Sequence, residues 1–313
     1  MLEIKFLVTG GAGFIGSHLV EHLINAGNNI LVIDDLSSGY ENNISDWLNN
    51  SFLKKKVQKV SDEKINSIDG IFHLAAQASV PYSIDNFFNS SENNILSSLK
   101  VFSWAKAQNI PVVYASSSAV YGNLPIGDDQ IEEYDILSPY AQDKLILENY
   151  ARMCWDVYKT PSIGLRFFNV YGPRQDSTNQ YSGVISIFID RLIQNKPVIV
   201  NGGYQTRDFI FVDDIVRVMI KSMKHLLYNR SCDVFNVGTG VSVTIDQLLE
   251  ILAEILKVEP EVKTKELPPG DPEKSGGTYG KLTTALNIDI HQFVKLEDGL
   301  RNTIDYIRNE QSK

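Results

Sequence analysis

Ile4-Lys-Phe-Leu-Val8-Thr-Gly10-Gly-Ala-Gly13-Phe-Ile-Gly16 is the stretch on which the reading of this 313-residue chain turns. The short apolar run Ile4–Val8 closes on a cluster of glycines. Apolar residues at helical spacing follow from Phe14 to Ile24, with Gly27 as the helix stop. Gly10 allows a tight turn from strand to helix, Gly13 lets the backbone approach an anion, and Gly16 permits close packing of helix on strand. The helix opens at Phe14 and Ile15, and its amino terminus offers free N–H groups to a pyrophosphate.

A second apolar run, Ile30–Ile33, ends in Asp34-Asp35, with Ser37 just beyond. A carboxylate at the end of the second strand accepts hydrogen bonds from an adenosine ribose and repels a 2′-phosphate, which favours NAD over NADP. Gly70–Leu74, Pro111–Ala115 and Ser162–Phe168 read as further buried strands, with helical stretches around Ser91–Gln108 and Pro139–Tyr158. Continuous apolar strands alternating with helices predict a parallel sheet covered on both faces. The expected fold is therefore α/β, a doubly wound parallel (Rossmann) sheet with a smaller α/β substrate-binding domain. Residues 1–168 form the expected NAD-binding domain, and 169–207 with 239–313 the second. Phe209–Val212 and Val234–Val237 are strand-like and are expected to return to the first sheet, bringing 208–238 with them. Pro, Gly, Asn and Tyr crowd Tyr171–Tyr181, and Lys263–Gly280 is rich in turn residues, the texture of a functional loop.

A formal charge of −9 argues against a general nucleic-acid or anionic-membrane binder. Cys154 and Cys232 stand in no CxxC or Cys/His spacing, so neither a disulfide framework nor a metal site is expected, and a reducing compartment fits. The first nine residues read as a buried strand and not as a signal peptide. No window approaches the roughly 18 apolar residues of a membrane span, so the expectation is a soluble cytoplasmic protein.

Ser138-Pro-Tyr140-Ala-Gln-Asp-Lys144 places a tyrosine and a lysine four residues apart on one helix face. A phenol with an ordinary pKa of about 10 is a poor base at neutral pH. A nearby ammonium and a positive nicotinamide ring would bring it into catalytic range. Ser116-Ser117-Ser118 follows the apolar run Val112–Ala115 and puts hydroxyls at the carboxyl end of a strand, where open α/β sheets bind ligands. Taken singly, these patterns also suit an amphipathic surface helix and a polar loop.

Taken together, TGGAGFIGSHLV, VIDDLSSG, FHLAAQASV, ASSSAVYG, SPYAQDK, RFFNVYGPRQ, RDFIFVDDI and FNVGTG resemble the extended short-chain dehydrogenase/reductase superfamily. Within it the chain is most similar to nucleotide-sugar 4-epimerases acting on UDP-galactose or UDP-N-acetylglucosamine. The resemblance implies Tyr140 as general base and acid. Lys144 would orient the nicotinamide ribose and lower the tyrosine's pKa, and Ser117 would be bonded to the sugar hydroxyl. It further implies NAD contacts at Gly10, Gly13, Phe14, Ile15, Gly16, Asp34, Asp35, Ser37, Val60, Ala75 and Ala76. Ser117, Ser118, Asn169, Arg207, Asp271 and Ser275 fall on the side of a UDP-sugar, with Arg207 gripping the diphosphate and Asp271 the ribose. Arg166 and Arg174 read as structural. A homodimer is implied, formed through the helices around Ser91–Gln108 and Pro139–Tyr158, with Ile95, Leu99, Phe102, Leu145 and Leu147 supplying core and outer faces.

Members that dehydrate their sugar carry an Asp-Glu pair where this chain has Ser118 and Ala119, so dehydration is disfavoured. Two positions depart from the family pattern. Pro268 stands in place of an arginine that grips the phosphate. Lys59 stands in place of an acid at the adenine; either the motif is displaced along the chain here or Asp62 substitutes. In the related epimerases the residue five after the glycine of Gly270-Asp271 gates the 2-position of the sugar. Here it is Ser275, followed by Gly276 and Gly277, which leaves room for a 2-acetamido group; a merely flexible turn is the alternative. The expected activity is inversion of carbon 4 of UDP-N-acetylglucosamine and UDP-N-acetylgalactosamine. Beside it stand a UDP-glucuronate decarboxylase or other oxidoreductase on the same scaffold, and an NAD-binding sensor without catalysis.

Overall fold

The computed structural model of the chain describes residues 4–46, 51–176, 183–268 and 270–311. The end of the Tyr171–Tyr181 stretch and Pro269 lie outside them. The strands are β1 (Lys5–Thr9), β2 (Asn29–Asp34), β3 (Phe52–Lys54), β4 (Gly70–His73), β5 (Val112–Ser117), β6 (Ser162–Phe167), β7 (Asn169–Tyr171), β8 (Val198–Asn201), β9 (Thr206–Phe211), β10 (Cys232–Val237), β11 (Ser242–Thr244) and β12 (Val262–Lys265). The α-helices are α1 (Phe14–Asn25), α2 (Val80–Asp85), α3 (Phe87–Gln108), α4 (Pro139–Tyr158), α5 (Val184–Ile193), α6 (Val212–Tyr228), α7 (Ile245–Leu256), α8 (Gly280–Leu286) and α9 (Leu296–Gln311).

Seven strands form one sheet in the order β10-β6-β5-β4-β1-β2-β3, with β1 parallel to β2 and β4, β2 to β3, and β4 to β5. The order runs outward from β1 in both directions, the doubly wound arrangement expected from the alternation of strands and helices. Its central strands are buried on short apolar runs: Leu7, Val8, Val32, Ile33, Ile71, Phe72, Val112 and Val113 are fully enclosed. Val101, Phe102, Trp104 and Ala105 of α3 and Leu147, Ala151 and Cys154 of α4 pack in the same core as Val112 and Tyr114 of β5. The reversal of winding falls between β1 and β4, so the loops after Thr9 and His73 open at the switch point, where ligands bind in such sheets.

The chain divides into two compact units, Met1–Ser117 with Ser138–Arg166 and Val216–Phe235, and Ser118–Leu137 with Phe167–Ile215 and Asn236–Lys313. This differs from the expected partition in two places. The strand-like run after Arg207 does not return to the large sheet. As β9 it lies between β7, to which it is parallel, and β11, to which it is antiparallel, in a separate three-stranded sheet. Only β10 rejoins the seven strands. An apolar run announces that a strand will be buried but not which edge it will choose, and here β7 and β11 took β9. Residues 118–137 also belong with the second unit, where Gly127 bridges to Gly277.

Candidate active site

Helix α4 begins where its sequence dictates. The Ser138 hydroxyl caps it by accepting the Ala141 N–H at 3.2 Å, and Pro139 pre-sets the first turn. Tyr140 therefore sits in the first turn and Lys144 one turn on, both on a buried face. The Tyr140 N–H donates to the Ser83 hydroxyl of α2 at 3.2 Å. Tyr140 and Ser117 share a side-chain hydrogen bond. Lys144 Nζ lies 5.6 Å from the centre of the tyrosine ring and donates to the Ala115 carbonyl at 2.7 Å. Three residues separated in sequence are thus brought together at the end of β5.

The charges here are tuned by burial. It raises the Tyr140 hydroxyl above its ordinary value, the Ser117 hydrogen bond pulls it back, and the Asp143 carboxylate pushes it up again. Burial pushes Lys144 down to about 8, opposed by Asp143 and Glu148. Asp143, which the sequence reading passed over, is buried, accepts from Asn94 Nδ2 of α3 at 3.0 Å, and is raised by its burial.

The turn after β1 suits a dinucleotide. Gly10 adopts φ +72°, and a Cβ there would stand 2.6 Å from the Ala75 nitrogen; one at Gly16 would stand 2.0 Å from the Gly10 carbonyl. Gly13 caps α1 with no side-chain hydrogen bond, so no capping side chain competes with an anion for the N–H groups of the first helical turn. Asp34 ends β2 nearly buried, with its two oxygens accepting the Ala12 N–H at 2.9 Å and the Leu36 N–H at 2.8 Å. Burial raises its pKa while these backbone donors lower it. The carboxylate that would meet a ribose therefore also braces the glycine turn. Asp35 Oδ1 accepts the Ser37 N–H at 3.0 Å.

Beyond β4, the Ala75 N–H donates to Thr9 Oγ1, whose hydroxyl is also bonded to His73 Nδ1 at 2.8 Å. Burial, then the Lys144 charge, depress His73 to about 3, so it stays neutral and links the ends of β1 and β4 to Ser98 of α3. Ala75 and Ala76 are carried on that platform. Val60 points its side chain into the core. Asp62, the candidate for the acid missing at Lys59, binds Lys100 Nζ at 2.6 Å and Trp104 Nε1 at 2.7 Å of α3 through Oδ1.

In the second unit, Asn169, Arg207 and Asp271 line one cavity of about 220 Å³ together with Val184, Phe188, Ile199, Asn201, Gln205 and Ile245. Arg207 is ion-paired with Asp271 and donates through Nη1 to the Thr206 carbonyl at 2.7 Å. The neighbouring Asp208 is fully enclosed and receives the Thr239 and Gly240 N–H groups, each at 2.9 Å, and the Tyr279 hydroxyl at 2.5 Å. Asn169 Nδ2 donates to the Asp208 carbonyl at 3.3 Å. Phe188, Asn201 and Gln205 had no motif to announce them.

Ser275 is not among the residues of that cavity. Its carbonyl accepts the Ser242 hydroxyl at 3.2 Å. The segment around it is pinned rather than loose. The Thr206 N–H donates to the Glu273 carbonyl at 3.0 Å, the Gly127 N–H to the Gly276 carbonyl at 2.9 Å, and the Thr278 N–H to the Gly127 carbonyl at 2.9 Å. Asn236 Nδ2 closes on the Gly127 and Thr278 carbonyls, and Tyr121 donates to Asn236 Oδ1 at 2.7 Å. Ser118 opens a short 3₁₀ turn that runs to Tyr121.

The NAD dependent epimerase/dehydratase family matches residues 6–238 of the chain. The chain belongs to this family. Its members are NAD-dependent enzymes, and the glycine turn, Asp34 and the Ser117–Tyr140–Lys144 group are the features of this chain that fit that cofactor. Among its relatives in the epimerase/dehydratase family, the chain is 32% identical over 314 residues to a putative UDP-glucose 4-epimerase of Methanocaldococcus jannaschii, covering 97% of this chain and 98% of that one. It is 29% identical to UDP-glucuronic acid decarboxylase 6 of Arabidopsis thaliana, over 95% of this chain and 87% of the relative. A solved UDP-N-acetylglucosamine 4-epimerase from Methanobrevibacter ruminantium M1, in complex with UDP-N-acetylmuramic acid, is 36% identical. It superposes with a TM-score of 0.89 over 99% of this chain and 100% of that one. Among the described residues no helix is long and apolar enough to cross a membrane.

Proposed function

We propose that the chain inverts carbon 4 of a UDP-hexose, with UDP-N-acetylglucosamine and UDP-N-acetylgalactosamine as its pair of substrates. The observation that carries the reading is the hydrogen bond between Ser117 and Tyr140 beside the buried Lys144, in a fold built for NAD. Tyr140 takes the proton from the 4-hydroxyl and later returns one, while Ser117 holds the sugar oxygen in line with it. Lys144 supplies positive charge where the phenolate forms and donors for the nicotinamide ribose. NAD, when bound, supplies the reversible oxidation at carbon 4. Inversion then requires only that the 4-keto sugar present its other face before reduction, so that NAD is regenerated within each cycle.

On the substrate side, Arg207 offers a fork of donors suited to the diphosphate, with Asn169 beside it, and Asp271 accepts from the ribose. Ser275 leaves space at the 2-position of the sugar. Incubation with UDP-sugars and no added NAD tests the reading: the 4-epimer of the acetylated sugar is expected. Release of carbon dioxide from UDP-glucuronate would favour the second reading, a decarboxylase, which the likeness to the Arabidopsis enzyme keeps in play. No turnover of any UDP-sugar would leave a binding protein.

The assembly we infer is a homodimer. Phe102 and Leu147 are core residues, but Phe88 and Leu96 of α3 and Tyr150, Met153 and Val157 of α4 stand exposed at helical spacing. Such apolar stripes on two adjacent helices suit a second copy of the same surface.

A further inference from the structure

The last three residues of β5 are each fastened to α4. Ser117 shares a hydrogen bond with Tyr140, the Ala115 carbonyl accepts from Lys144 Nζ at 2.7 Å, and Ser116 Oγ donates to Glu148 Oε1 at 2.5 Å. Tyr140, Lys144 and Glu148 are spaced four residues apart, so one face of one helix holds all three rungs. The established chemistry of the family uses the first two. The resemblance assigns nothing to the third.

Glu148, Ser116 and Arg166 are all buried, at 6%, 2% and 3% exposure. The carboxylate survives there because Arg166, on the neighbouring strand β6, clamps it with Nε at 2.9 Å to Oε1 and Nη2 at 2.6 Å to Oε2. A buried ion pair of this kind is a weak source of stability, since well-packed apolar residues of similar volume often serve as well. Its distinctive product is an oriented acceptor, Oε1, aimed at the hydroxyl next in sequence to Ser117.

We propose that Glu148, held by Arg166, is a positioning residue for the reaction: it anchors the Ser116 hydroxyl and so sets the backbone of β5 at the register in which Ser117 meets the Tyr140 hydroxyl. The proposal rests on the reading of Tyr140 and Ser117 as the reacting pair. Glu148 and Arg166 together carry no net charge; the Glu148 carboxylate also opposes the depression of Lys144, an effect that both paired variants below lose alike. The charged groups that bear on the phenol directly are Asp143 and Lys144 of α4. Strand β5 presents the Ser117 hydroxyl to the phenol, and the Ser83 hydroxyl of α2 accepts the Tyr140 backbone N–H.

The test compares variants of the full chain purified with its cofactor. Ser116→Ala removes one oxygen. It is expected to lower kcat about tenfold or more, as small misplacements at a reacting centre do, with KM and melting temperature close to wild type. It should also move the acid limb of the kcat profile to higher pH, because a loosened Ser117 hydrogen bond supports the phenolate less. Glu148→Gln with Arg166→Met keeps an acceptor for Ser116, whereas Glu148→Met with Arg166→Met removes it. Both pairs lose the same charges, yet the first should turn over about tenfold faster. A merely structural role would lower the melting temperature and leave the pH limb in place. Wild-type kcat and an unmoved acid limb in Ser116→Ala would overturn the proposal, as would equal turnover in the two paired variants. If either paired variant does not fold, Ser116→Ala decides alone. Tyr140→Phe, assayed alongside, separates the two failures: wild-type turnover there sinks the reading of the base, and its loss with an unaffected Ser116→Ala sinks only the positioning role.

Discussion

Arg207 and Asp271 form an ion pair in which the arginine side chain is 9% exposed and the carboxylate 40%. The cation is thus fixed within the cavity wall while its counter-ion faces solvent, an arrangement ready to receive a second anion. With Pro268 in place of the second arginine that the family resemblance implies, the proposed grip on the diphosphate falls mainly to Arg207. Arg207→Met should raise KM for the UDP-sugar about 10- to 100-fold, the loss of a charge-assisted hydrogen bond of roughly 1.5–3 kcal/mol, while the purified protein keeps its NAD. Steady-state kinetics with an unchanged KM would remove Arg207 from substrate binding.

Tyr140→Phe removes a hydroxyl and nothing else, so fold and cofactor content should persist. Turnover is expected to fall by about 10²–10⁴-fold, the contribution of general acid–base catalysis. Lys144, pushed down to about 8 by burial, is cationic below that pH and neutral above it. Turnover should therefore decline on the alkaline side of about pH 8. The same depression means that the unfolded chain binds the proton more readily between pH 8 and 10.5. The stability owed to Lys144 is accordingly complete above pH 10.5 and is lost as pH falls through 8. Chemical denaturation of wild type and Lys144→Met across that window checks the sign: the difference should move in favour of wild type as pH rises.

Asp34→Ala should relax the preference for NAD over NADP, because the carboxylate that repels a 2′-phosphate is gone. It should also cost stability, on the order of 1–3 kcal/mol for backbone donors left without their acceptor, since Ala12 and Leu36 both donate to it. Calorimetry and cofactor titration read the two effects separately. NADP found bound to the purified wild type would contradict the assignment.

Ser275→Tyr should abolish turnover of the acetylated sugars and spare UDP-glucose and UDP-galactose if the wild type accepts them. The segment is pinned at Glu273, Gly276 and Thr278, so it cannot swing aside cheaply, and overpacking a rigid wall costs about 1–3 kcal/mol per clash. Wild-type rates on UDP-N-acetylglucosamine in this variant would mean that another residue sets the gate.

Leu96→Lys combined with Met153→Lys places charges within the exposed stripes of α3 and α4 while leaving the core face untouched. Sedimentation should give a dimer for wild type and a monomer for the variant. A wild-type chain that sediments as a monomer at micromolar concentration would rule out the homodimer.

Much was legible in the sequence because it is governed by neighbours along the chain. The glycine turn, the helix start at Ser138-Pro139 and the burial of β1, β2, β4 and β5 depend on local sterics, capping and uninterrupted apolar runs, and each could be read within a dozen residues. The four-residue spacing of Tyr140 and Lys144 likewise put them on one helix face before any fold was known. The tertiary structure alone decided what those residues meet. It sent β9 to β7 and β11 instead of the large sheet, because an apolar strand specifies its burial and not its partner. It committed Asp62 to Lys100 and Trp104, and set the Tyr140 hydroxyl between the burial that raises it and the Ser117 hydrogen bond that lowers it. It also joined Ser116, Glu148 and Arg166 across separations that no local pattern records. Charges and hydrogen bonds act through space and local dielectric, so their effects exist only once the chain has brought distant residues together.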